Sequence, residues 1–132
     1  MKPSLKKITA VLPVASVEAS LPFWEAVGLA RTVEVPHGDV LGFVILAGHG
    51  LELMLQSHAS IADDVPAIAA EAADGKTLLF IEVEDIDAIE RALAGQPLAF
   101  PRRTTFYGAT EVGYREPGGH VVTFAQFGGE AP

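Results

Sequence analysis

The chain has no cysteine among its 132 residues, which excludes disulfides, thiolate catalysis and cysteine-based zinc sites. It is poor in positive charge, with nine Lys and Arg against seventeen Asp and Glu and a formal net charge of −8. That balance argues against nonspecific nucleic-acid binding and against an anionic membrane surface. No apolar run reaches the roughly 18 residues of a membrane span. The opening "MKPSLKKITAVLPVASVEAS" has a basic start, but its apolar part is short, β-branched and broken by Thr9 and Pro13, so it reads as a strand rather than a leader. A cytoplasmic location is the expectation. What remains is ordinary for one globular domain: 49% apolar and 20% charged residues, at a length that can bury a core.

Hydrophobic alternation and turn residues divide the chain. "KITAVLPVA" (7–15) predicts a first strand. "SVEASLPFWEAVG" (16–28) predicts a helix capped by Ser16 or Ser20, its regular part starting near Ser20 so that Pro22 falls in the first turn. "ARTVEV" (30–35), "DVLGFVILA" (39–47) and "LELMLQ" (51–56) read as three strands. The alanine-rich, acidic stretch 57–74 is a short helix or a loose connection. "KTLLFIEV" (76–83), the helix "EDIDAIERALAG" (84–95) and about three strands over 98–127 then repeat the order, and the tail "GGEAP" is expected to fray.

This recurrence is an internal repeat. "VASVEASL" (14–21) matches "VEDIDAIE" (83–90) at an offset of 69, and "GHGLELMLQ" (48–56) matches "GGHVVTFAQ" (118–126) at an offset of 70. The expected fold is α+β, one domain over 1–132 built of two βαβββ modules, about 5–57 and about 75–127, joined by the alanine-rich connection. The sheet of one such unit leaves a face uncovered, so modules are expected to pair, within or between chains.

Three stretches carry a resemblance to a known family. "VASVEASLPFWEAVGL" (14–29), "FIEVEDIDAI" (80–89) and "YREPGGHVVTFAQ" (114–126), the last with Glu116 where an Asp is usual, resemble the vicinal oxygen chelate superfamily of glyoxalases, bleomycin resistance proteins and dioxygenases. The Phe23-Trp24 pair and the Thr-Phe-Ala ending at 123–125 resemble the bleomycin-resistance branch. The resemblance implies two curved mixed sheets, each with a helix on one face and a concave cavity on the other. Metal-using members place ligands on the first and last strand of each module, positions that align here with Thr9, Glu52, Leu78 and Thr123. Only Glu52 is a competent donor, since leucine cannot ligate and neutral hydroxyls are poor substitutes. No cofactor is therefore expected.

Strand alternation sorts the remaining residues. Ile8, Ala10, Leu12 and Val14 are expected to pack on the helix, while Thr9, Val11, Glu52, Met54, Gln56, Leu78, Phe80 and Thr123 are expected to line the cavity. His37, His49, His58 and His120 all fall in predicted turns and read as solvated residues. Trp24 reads as core; Phe106 and Tyr107 are further candidates for stacking a flat ligand. Burial of Glu52 among apolar residues would raise its pKa, as a general base requires. Water at the open mouth, or pairing with an arginine, is the alternative. Glu82, on the same face, fits either a cationic ligand group or a strand-end charge. Arg102 and Arg103 fit either a clamp on a carboxylate or phosphate, or a solvated loop. The expected function is metal-free sequestration of a small, partly aromatic ligand that can be cationic, by a homodimer. The alternative is a divergent lyase, isomerase or dioxygenase-like enzyme using Glu52 as base or a metal not yet placed.

Overall fold

The computed structural model describes residues 2–128; the expectation of a frayed tail falls mostly on residues outside that range. Among the described residues, eight strands and two of the four α-helices form two successive modules. The first contains β1 (Val11–Val14), α1 (Val17–Ala26), β2 (Ala30–His37), β3 (Val40–Gly48) and β4 (Leu51–Ser57). The second contains β5 (Leu78–Glu82), α4 (Ile86–Ala92), β6 (Leu98–Thr104), β7 (Ala109–Arg115) and β8 (Val121–Phe127). Each makes a four-stranded mixed sheet, ordered β1-β4-β3-β2 and β5-β8-β7-β6, in which the first and last strands of the module run parallel. The connection left open by the sequence is ordered as α2 (His58–Asp64), a 3-10 turn (Pro66–Ile68) and α3 (Ala69–Asp74). No helix among the described residues is long and apolar enough to cross a membrane.

The duplication is more regular than the sequence match. Val11 pairs with Met54 in the first sheet and Phe80 with Thr123 in the second, each member of the second pair lying 69 residues after its counterpart. The left-handed glycines that open β4 and β8, Gly50 and Gly119, keep the same spacing. The offset of 70 read for the last strands is thus one residue out. Thr123 is the counterpart of Met54, and Glu52 the counterpart of Val121.

Helix α1 begins a turn earlier than expected. The Ser16 hydroxyl accepts from the Ala19 N–H at 3.1 Å, so the cap is Ser16 rather than Ser20, and Pro22 lies inside the helix. Burial of Val17, Leu21, Phe23 and Trp24 against the sheet holds this helix despite the proline. α4 is capped by Asp85, whose carboxylate accepts from the N–H groups of Asp87 and Ala88. One apolar cluster joins both modules: Leu12, Val14, Phe23, Trp24, Val44 and Leu55 from the first meet Val112, Tyr114, Val122 and Phe124 from the second. Phe23 contacts Tyr114 edge-on at 6.4 Å. Ile8, expected in this core, precedes β1 and is 92% exposed.

His120 also bridges the modules, and the expectation of a solvated turn is wrong. It is completely buried. The backbone N–H of Thr77 donates to His120 Nδ1 at 2.9 Å, while Nε2 lies 2.7 Å from the carbonyl oxygen of Pro13 on β1. An N–H can only donate, so Nδ1 is the acceptor and the proton sits on Nε2, facing Pro13. Glu116 is buried too and accepts the His120 N–H at 3.2 Å, closing the turn.

Candidate functional site

Alternation turns Leu12, Val14, Leu53, Leu55, Val122 and Phe124 into the core. The residues between them therefore share the opposite, open faces of the two sheets. On the first sheet this face carries Val11, Met54 and Gln56, with Thr9 and Glu52 at one end. On the second it carries Leu78, Phe80, Thr123 and Phe127. The eight residues expected to line a cavity thus occupy the expected faces, but the structure does not gather them into one pocket. An open cleft of about 490 Å³ is lined by Lys7, Ile8, Thr9, Ala47, Gly48, Gly50, Leu51 and Glu52. It takes only Thr9 and Glu52 of the eight. Val11, Met54, Gln56, Leu78, Phe80 and Thr123 lie outside it.

Glu52 is not a desolvated base. Lys7 Nζ donates to Glu52 Oε1 at 2.9 Å and the Thr9 hydroxyl donates to the same oxygen at 3.1 Å. The hydrogen bond from Lys7, then that from Thr9, hold its pKa below the ordinary 4.5 against a smaller opposing effect of desolvation. A carboxylate stabilised in its charged form is a weaker proton acceptor, contrary to the raised value expected from an apolar cavity. The alternative expectation, water or an arginine at the mouth, is nearer, but the partner found is Lys7.

The four metal-aligned positions do not fit a divalent ion. Thr9 and Glu52 meet, but Glu52 is committed to Lys7, and the second module offers Leu78 and a neutral hydroxyl at Thr123. Among the described residues no three His, Asp or Glu side chains lie close enough together to hold a metal.

The most developed chemistry lies on the open face of the second sheet, at a residue the sequence did not single out. Glu111 of β7 faces away from the core neighbours Val112 and Tyr114, and its side chain is 2% exposed. Arg103 of β6, its cross-strand partner, donates to Glu111 Oε1 from Nε at 3.1 Å and from Nη2 at 2.9 Å. The Tyr107 hydroxyl donates to Oε2. That hydrogen bond, and secondly desolvation, raise the Tyr107 pKa above 10.0. The ring of Phe100 lies across Gly113, where any Cβ would collide with it, and the Arg103 guanidinium sits 5.4 Å from the Phe100 ring centroid. Beside this group Tyr107, Phe127 and Phe80 form a continuous aromatic surface, with successive ring centroids 6.0 and 6.4 Å apart.

Arg102 and Arg103 belong to a strand rather than a loop, and alternation sends them to opposite faces. Arg102 pairs with Asp87 and Glu90 of α4 on the helix side. The only sequence signal for the Glu111 cluster was an acid within a strand otherwise made of core and small residues.

No protein-family model matches the sequence, and no curated protein matches it either. Solved structures do. A glyoxalase/bleomycin resistance protein/dioxygenase from Nocardioides is 21% identical, with a TM-score of 0.72 over 99% of this chain and 90% of that one. A lactoylglutathione lyase from Agrobacterium tumefaciens is 18% identical, with a TM-score of 0.73 over 94% and 95%. The bleomycin resistance determinant encoded on the transposon Tn5 is 16% identical, with a TM-score of 0.66 over 92% and 98%. At these identities the likeness is one of architecture, and the chain has the paired-module fold seen in these glyoxalase, bleomycin resistance and dioxygenase proteins.

Proposed function

We propose that the protein binds and sequesters a small, partly aromatic molecule without the help of a metal. The observation that carries this reading is the open face of the second sheet. Phe80, Tyr107 and Phe127 supply aromatic rings there and the Arg103–Glu111 pair supplies fixed polar groups, while the donor-aligned positions of the same sheet hold Leu78 and Thr123. Such a surface suits recognition of a planar ligand by stacking and apolar burial. Sequestration is also in keeping with the bleomycin resistance determinant among the proteins of like fold. A second copy of the chain closes the open faces in this reading, since Leu78 is 79% exposed and Phe80 53% exposed on the single chain. The enzyme alternative rests on Glu52 as base or on a metal not yet placed, and the ion pair with Lys7 speaks against the first of these.

Metal analysis and ligand screening test the proposal together. Protein purified without chelators should carry no stoichiometric Zn, Ni, Mn or Fe; a full equivalent of any of them would sink the metal-free reading. A thermal-shift screen of cationic, neutral and anionic aromatic compounds should find some that raise the melting temperature by binding the native state. If none does, sequestration loses its support.

A further inference from the structure

From the geometry of the second sheet we infer that Arg103 is the anchor for an anionic group, of carboxylate type, on an aromatic ligand. The inference rests on the binding function proposed above and gives the ligand's chemical class. Glu111 is badly placed to serve a cationic ligand, because Arg103 already neutralises it, Tyr107 covers its second oxygen and burial keeps it from solvent. Its side chain is 2% exposed whereas that of Arg103 is 58% exposed. The buried acid therefore holds an exposed guanidinium from behind.

Two of the five guanidinium N–H groups, one on Nε and one on Nη2, are spent on Glu111 Oε1. The other three lie on the Nη1 and Nη2 side, the edge that matches a carboxylate in a two-point contact. The Phe100 ring packed on Gly113 restrains the guanidinium further. A side chain already held in place loses less freedom when a ligand arrives. Tyr107, tied to Glu111, and Phe127, 6.0 Å from it between ring centroids, are each 43% exposed beside this fork and can take the ligand's ring. In a chain of net charge −8 the long-range field does not favour an anion. Preference must come from this short-range contact.

The bland alternative is that Arg103 only neutralises Glu111. Titration calorimetry with 2-naphthoate, 2-naphthamide and 2-naphthylmethylammonium separates the two, because the three probes share a ring and differ in charge. The native protein should bind the naphthoate roughly tenfold more tightly than the amide, as expected for charge-assisted hydrogen bonds. Glu111→Gln, which frees the guanidinium to move, should weaken the naphthoate and leave the amide nearly unchanged. Arg103→Gln in that Glu111→Gln background leaves no buried charge unpartnered, and it should abolish the preference while the melting transition persists. Equal binding of naphthoate and amide, or a preference that survives loss of Arg103, overturns the inference. Tighter binding of the ammonium probe overturns it but leaves sequestration standing. If none of the three binds, both readings fall at this face.

Discussion

Lys7 decides the chemistry of Glu52 from outside the strand that carries it. The sequence placed Glu52 on the open face correctly, but it could not show that a lysine in the segment before β1 folds back to 2.9 Å from the carboxylate. That contact has a direction in pH. The folded pKa lies below the ordinary 4.5, so the stabilisation is present above the unfolded value and is lost as pH falls through the folded one. A carboxylate titration by NMR should place Glu52 below 4.5, and Lys7→Met should move it back up; an unchanged value in that variant would remove Lys7 as the cause. The tyrosines run the other way. Tyr107, through its hydrogen bond to Glu111, and Tyr114, through burial, both have pKa values raised above 10.0. Stability from the protonated phenols is therefore full below pH 10.0 and declines as pH rises through the folded values. Absorbance titration should show neither tyrosine ionising at its ordinary pH. Glu111→Gln should lower the Tyr107 transition alone.

Strands were the most legible elements and helix starts the least. β-branched and apolar residues in alternation placed β1 to β5 within about four residues, because period two is set by the pleat itself. The three strands over 98–127 stayed undivided because their turns were not located. The start of α1 was misjudged because Pro22 argues locally for a late start. A capping serine and four buried side chains outweigh that preference. At α4, Asp85→Ala removes the acceptor for two N–H groups and should cost about 1 kcal/mol in urea unfolding, with an unchanged fold. The β6 arginines were unreadable for a different reason. Which face each one takes depends on register along an edge strand with irregular pairing near Phe100, and a shift of one residue would exchange their partners. That same register conceals the Glu111 cluster from any reading of spacing alone. Its members come from two strands and a loop whose side chains meet only after pairing.

The duplicated architecture was legible at the scale of the molecule, whereas its junction was not. A repeat near 69 residues announces two modules, but nothing local to His120 reveals that it reaches β1, 107 positions back. His120→Ala deletes both contacts, leaving a part-buried N–H at Thr77 and a carbonyl at Pro13 without partners, and should destabilise the protein by roughly 2–4 kcal/mol in denaturant. A loss under 0.5 kcal/mol, the ordinary range for surface substitutions, would mean that solvent replaces the bridge freely. The shared core has a further consequence for how the halves come apart. Phe23 from one module rests on Tyr114 from the other, so neither half can open without exposing apolar surface that belongs to both. Amide protons deep in β4 and β8 should therefore exchange through one common opening event, with matching protection, as though the boundary between the two copies had been erased.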